Sequence, residues 1–178
     1  MRNPLILTTL LFLLASPAML WAFEPDTSDE MQLDVAKAIL DVKKSDPGIQ
    51  KFFDGAAGYA VFPTVGKGAI GVGGAHGKGL VIVNDKVVGK TSLSQVTVGL
   101  SLGGQKYSQF IFFKDDVALG HFKRGNYEMG AQASAVAVTA GASADADYDK
   151  GVAVFTNIGG GLMADASVGG QKFTYEPY

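Results

Sequence analysis

The feature that most constrains this chain is a phrase it uses twice. Gly58-Tyr59-Ala60-Val61-Phe62-Pro63-Thr64-Val65-Gly66-Lys67-Gly68 returns as Gly151-Val152-Ala153-Val154-Phe155-Thr156-Asn157-Ile158-Gly159-Gly160-Gly161. A second pair, Leu102-Gly103-Gly104-Gln105-Lys106-Tyr107-Ser108 and Val168-Gly169-Gly170-Gln171-Lys172-Phe173-Thr174, returns at a different offset. Each unit is an apolar or alternating run beside a glycine cluster, the grammar of a strand entering a tight turn or a close crossing of backbones. The unequal offsets exclude a clean tandem repeat. They leave an old duplication with an insertion, or one local solution used twice. Either way the most distinctive residues describe strand scaffolding and not a catalytic site.

Those residues also carry a resemblance. Ala57-Gly58-Tyr59-Ala60-Val61-Phe62-Pro63, the glycine run from Gly66 to Gly79, the stretch Gly99 to Ser108 with its Gly103-Gly104-Gln105-Lys106, Gly130 to Val138, and Gly169-Gly170-Gln171-Lys172-Phe173-Thr174 follow one another as in the SYLF domain family, which the chain resembles over nearly all of its length after the leader. The resemblance implies a small exported bacterial protein that binds membrane lipids. Phosphoinositides are the ligand in eukaryotic members, and actin binding is attributed to some of them. It brings no catalytic constellation and no cofactor.

The N-terminus has the anatomy of a secretory signal peptide: Arg2, an apolar core from Leu5 to Ala15, and small residues at Ser16-Pro17-Ala18. Removal by Ala22 is expected, leaving residues 23–178 as one domain; the competing reading is an uncleaved anchor, for which the apolar stretch is short. The 178 residues include no cysteine, so an exported product would carry no disulfide and no acyl-cysteine anchor. A formal net charge of −2 gives no global attraction to nucleic acid or anionic lipid, so any such recognition has to come from a local basic cluster.

Two helices are expected first. Thr27-x-x-Glu30 has capping-box spacing, and Met31, Val35, Ile39 and Val42 recur at helical steps, predicting a helix from about Ser28 to Lys44. Asp46-Pro47-Gly48 ends it, and Ile49 to Ala56 reads as a second helix carrying Phe52 and Phe53. From Gly58 the pattern turns to strands: 59–65, 69–75, 79–83, 86–93, 95–102, 107–113, 133–140, 151–157, 162–167 and 171–175, with Asn84-Asp85 as a hairpin turn and 115–124 as one short helical excursion ending at Gly125. The fold class expected is α+β: N-terminal helices packed on a glycine-rich, mainly antiparallel, β-barrel-like sheet with that single excursion.

Four chemical motifs read better as scaffolding. Gly66-Lys67-Gly68-Ala69-Ile70-Gly71 matches the dinucleotide fingerprint, but strand-like sequence follows where a helix N-terminus would have to receive the pyrophosphate. Gly99-Leu100-Ser101-Leu102-Gly103 matches a hydrolase elbow, but the apolar alternation runs straight through Ser101, and Asp116 and His121 do not stand in the usual spacing for its partners. Asp145, Asp147 and Asp149 alternate as calcium ligands might; Lys150 and Thr156 occupy the positions where the calcium loop needs glycine and glutamate, so a polar hairpin tip is expected. Here the chain departs from the small and hydroxyl residues usual in the family. His76 and His121 lack cysteine partners for zinc.

The remaining candidates are basic. Lys67, Lys78, Lys86 and Lys90 flank the first glycine-rich strands, Lys106 and Lys172 recur in the two Gly-Gly-Gln-Lys units, and Lys123-Arg124 ends the excursion. Gathered on one rim, they would offer ammonium groups and free backbone N–H donors to phosphate headgroups. The function expected is a non-enzymatic module binding anionic lipid headgroups, in the periplasm or peripherally attached to an envelope membrane, with no metal and no nucleic-acid partner. An integral outer-membrane barrel is the second reading, favoured by the leader, the strand count and the aromatic C-terminus; an exported hydrolase is a third, with no convergent acid, base and nucleophile.

Overall fold

The computed structural model describes residues 23–70, 72–98, 103–131, 133–158 and 168–178. The signal peptide expected over 1–22, Ser101, and the strand expected over 162–167 lie outside them.

Helix α1 spans Glu30–Ser45, and its cap differs from the expected one: Asp29, not Thr27, accepts from the backbone N–H groups of Met31 and Gln32. A carboxylate placed there satisfies two of the helix's orphan donors and also meets the Gln32 side-chain amide at 3.3 Å. A single 3₁₀ turn, Pro47–Ile49, leads into α2, Gln50–Gly55. Asp46 ties this corner to a distant loop, because one of its oxygens accepts from Gly48 N at 3.1 Å and the other from Ser143 N at 2.6 Å.

Among the described residues the first four strands are longer than expected. β1 (Gly58–Ile70), β2 (Val72–Val83), β3 (Lys86–Val98) and β4 (Gly103–Phe113) form a meander; α3 (Asp116–Phe122) follows, and then come β5 (Tyr127–Glu128), β6 (Val136–Ala137), β7 (Val152–Asn157) and β8 (Lys172–Pro177). The break expected between residues 93 and 95 is absent, because Ser94 stays in the ladder opposite His76 and Lys172. The long strand expected over 133–140 shrinks to two residues, since turns follow at once: Ala142 N donates to Thr139 O and Ala144 N to Gly141 O. Gly66 and Gly68, expected in a turn between strands, sit inside the β1 ladder.

The eight strands make one sheet in the order β5-β8-β3-β2-β1-β4-β7-β6, antiparallel except for the β6–β7 pair. Pro63 lies in the central strand β1, where it has no N–H to give, and the register slips there against both neighbours, between Val61 and Thr64 on one side and Phe62 and Val65 on the other. The two edge strands are consecutive in the chain, joined only by residues 129–135, so the sheet must curl to bring its edges to the ends of that strap. Across the curl, Gln171, just before β8, meets Gln109 of β4 although three strands separate β8 from β4 in the sheet. Gln109 Nε2 donates to Gln171 Oε1 at 2.7 Å, Gln171 Nε2 reaches back to Gln109 and Gln95, and Gln95 Nε2 donates to Gly169 O at 2.9 Å. All three glutamines are buried, so this clasp draws opposite walls of a half-barrel together with its amides satisfied.

Both faces of the sheet are covered at one end. Along β1, Tyr59 and Val61 join the cluster under α1 and α2, while Ala60 and Phe62 join the cluster inside the curl; β4 repeats this with Phe110 and Phe112 against Ile111 and Phe113. α1 contributes Val35, Ala38, Ile39 and Val42 to the outer cluster, and α3 contributes Leu119 and Phe122 to the inner one. Two-sided burial is why these strands read as continuous apolar runs instead of alternating ones. Two crossings are equally tight: at Gly79 a Cβ would run into the carbonyl of Val61 and the Phe62 ring, and at Gly169 into the carbonyl of Ala131.

Candidate functional site

Beyond the helix-covered end the same strands change character. Residues directly opposite one another share a face, so the pairings can be read as rows on the outer surface. One row runs Lys172, Ser94, His76, Gly66, Lys106 across β8, β3, β2, β1 and β4. The next runs Thr174, Ser92, Lys78, Thr64, and the next Glu176, Lys90, Leu80, where the surface dips under α1. Four lysines thus stand in three adjacent rows of one face, with hydroxyls between them. Ser92 Oγ and Thr174 Oγ1 are 2.7 Å apart.

This shelf borders a groove of about 510 Å³ lined by His76, Lys78, Lys90, Ser92, Thr174 and Glu176, with Met31 of α1 as an apolar wall. Asp29 also faces it, with its carboxylate occupied as the α1 cap. Lys90 lies 5.2 Å from the Tyr178 ring, an arrangement that orients the ammonium without neutralising it. Lys172 has Glu128 at 3.7 Å, but both side chains are more than half exposed, so water screens the pair and leaves the ammonium available.

The other expected basic residues are placed elsewhere. Lys67 sits opposite Ala75 and Gln105, and since Ala75 belongs to the inner cluster, Lys67 is on the opposite face from Lys78 and Lys106. Lys86 opens β3 at the far hairpin, after Asn84 and Asp85, whose positive φ angles of 49° and 58° make the tight turn. Lys123 and Arg124 follow α3, Lys123 lying 5.5 Å from the Tyr175 ring. The eight candidates therefore separate into a group of four, Lys78, Lys90, Lys106 and Lys172, and four residues at other places. Ser92, Ser94, Thr64 and Thr174 belong with the group. Their signal was in the sequence as period-two alternation, Lys90-x-Ser92-x-Ser94 and Lys172-x-Thr174-x-Glu176.

Among the described residues no group of three or more histidine and acidic side chains could hold a metal ion. Asp147 accepts from Tyr148 N and Asp149 closes a bridge with Val152, so both are engaged in shaping the loop before β7. His121 is exposed on α3. Burial alone would raise the Asp46 carboxyl, but the N–H groups of Ser143 and Gly48 outweigh it and hold the group below the usual carboxylate value.

These features define a class: a compact α+β domain whose half-barrel sheet presents a basic, hydroxyl-lined face. Comparison with known proteins narrows it. Residues 94–177 match the family described as Ysc84, Las17-binding protein actin regulator. The chain is also 29% identical over 155 residues to beta cell expansion factor A of Aeromonas veronii, a match covering 84% of this chain and 59% of that protein's length. Over residues 94–177 the chain is thus similar to the Ysc84, or SYLF, domain family.

Proposed function

We infer that this chain is a non-enzymatic module of the bacterial cell envelope that binds anionic lipid headgroups on the outer face formed by β8, β3, β2, β1 and β4. The observation that carries the reading is the strand register, which sets Lys78, Lys90, Lys106 and Lys172 on one surface among Ser92, Ser94, Thr64 and Thr174. Ammonium groups supply attraction to phosphate, and hydroxyls supply directional bonds between them. Each lysine held near an anionic surface contributes about 1 kcal/mol, so four give useful affinity despite a net charge of −2 for the whole chain. The export signal expected at the N-terminus supports the envelope location.

An integral barrel is disfavoured by the outer surface itself. Its apolar band holds two positions per strand, Tyr59 and Val61, Leu80 and Ile82, Phe110 and Phe112, and α1 and α2 cover it. Three residues of strand rise about 10 Å, whereas a spanning barrel needs an exposed apolar band about 25 Å tall. Farther along the same face stand Lys78, His76 and Lys106, which belong at a headgroup and not among acyl chains.

The test is co-sedimentation with anionic and with neutral vesicles at low and physiological salt. Selective, salt-sensitive capture by the anionic vesicles is expected. Equal capture by both, or by neither, would remove the headgroup reading.

A further inference from the structure

On the other side of α1 lies a second cavity that the lipid-facing surface does not use. It measures about 500 Å³ and is walled by Ile39, Leu40 and Lys43 of α1, Phe53 and Asp54 of α2, Tyr59 of β1, and the Asn84-Asp85 turn. Its floor is aromatic, the Phe53 and Tyr59 rings meeting edge to face at 5.1 Å, and Leu40 stands 69% exposed at its lip. The Lys43 ammonium lies over the Phe53 ring, 4.4 Å from its centre. Half-burial lowers its proton affinity, and the attraction of Asp54 and Asp85 only partly offsets this. Burial and the charge of Asp85 keep the Tyr59 phenol protonated. The cavity therefore holds one cation against two carboxylates.

That balance selects the guest. An anion would meet two carboxylates, and a cation would meet the lysine it would have to displace. A neutral, apolar electrophile meets neither obstacle and finds an aromatic floor leading to an amine. We propose that Lys43 is a covalent capture site for aliphatic aldehydes, with the alkyl tail lying over Phe53 and Tyr59. Amine and aldehyde are the only reactants. The Lys43 Nζ lone pair attacks the carbonyl carbon, the C–N bond forms, and the carbonyl π pair moves to oxygen, which takes up the proton released by nitrogen. Loss of that hydroxyl as water, which takes the second nitrogen proton with it, then gives the imine, and the Asp54 and Asp85 carboxylates lining the same cavity are the local proton acceptors. The reaction is reversible, so the site holds an aldehyde without consuming it.

The experiment incubates the full chain with hexanal and cyanoborohydride, which reduces the imine to a stable secondary amine, and measures initial labelling at each lysine by peptide mass mapping. Lys44, exposed on the next position of α1, and Lys51, exposed beside the Phe52 ring outside the cavity, are internal references. Labelling at Lys43 about tenfold faster than at Lys44 is expected, from the apolar floor that gathers the aldehyde beside it and from the lowered proton affinity of its half-buried amine. Labelling equal to or slower than Lys44 overturns the proposal. Glyoxylate, a small anionic aldehyde, is expected to lose most of that selectivity; equal selectivity with glyoxylate overturns the assignment to an apolar guest. Because the unmodified chain carries its own references, the result does not depend on a variant folding, nor on the lipid reading.

Discussion

The two ends of the same strands make instructive opposites. In the covered end, around Tyr59–Phe62, Leu80–Ile82 and Phe110–Phe113, every position faces a packed cluster, α1 and α2 on one side and the inside of the curl on the other. In the open end, around Thr64–Gly66, His76–Lys78 and Lys90–Ser94, only the inner face is packed and the outer face carries lysine, histidine, hydroxyls and glycine. The β1–β2 and β1–β4 ladders run through both ends and slip register only at Pro63 between them. The difference is what covers the outer face. The covered end supplies stability and the open end displays a surface, so substitutions in the first should unfold the chain and those in the second should change only what it binds.

The largest effect expected is at Phe112, whose ring packs against Phe52, Phe53, Tyr59 and Phe155. Phe112→Ala should cost about 3–5 kcal/mol in urea unfolding. Glycine sharpens the contrast: Gly79→Ala should cost more than about 2 kcal/mol because its methyl meets the Val61 carbonyl, whereas Gly66→Ala, with open space around its Cβ, should stay within about 0.5 kcal/mol. Gln109→Leu should cost about 1–3 kcal/mol by taking away the donor to the buried Gln171 Oε1 and leaving Gln171 Nε2 with Gln95 alone.

Asp46 gives a smaller, pH-dependent effect. Its carboxyl is held below the ordinary value by Ser143 and Gly48, so its contribution is fully present above that ordinary value and is lost as pH falls through the lowered one. Asp46→Asn should therefore narrow the stability gap to the parent chain from about 1–3 kcal/mol at pH 7 towards nothing near pH 2, read as urea midpoints. A gap that does not change with pH would assign the loss to packing.

Much of the covered end is legible in the sequence. Tyr59-Ala60-Val61-Phe62, Phe110-Ile111-Phe112-Phe113 and Val152-Ala153-Val154-Phe155 are too continuously apolar for half-exposed strands, and the helical spacing of Val35, Ile39 and Val42 names the face that α1 buries. The misreadings have physical causes. Ser94-Gln95 looks like a break because both are polar, yet Gln95 is buried by pairing with Gln171 and Gly169, partners 76 and 74 residues away. Ala133 to Ala140 alternates like a strand, but a ladder needs a neighbour, and only Val136 and Ala137 find one on β7. For the site, each strand's own alternation was visible, but the grouping of lysines depends on register between strands. Register is a non-local property; Lys67 and Lys78 lie on opposite faces because of how the β1–β2 ladder is phased, which no local pattern encodes.

The most direct test compares two triple substitutions with equal loss of charge. Lys78, Lys106 and Lys172 changed together to glutamine should weaken binding to anionic vesicles on the order of a hundredfold and leave the thermal midpoint unchanged. Lys86, Lys123 and Arg124 changed together to glutamine should leave binding within about threefold of the parent, since they stand away from the open outer face. Equal losses from both sets, or none from the first, would contradict the claim that the open end of the sheet is the binding surface.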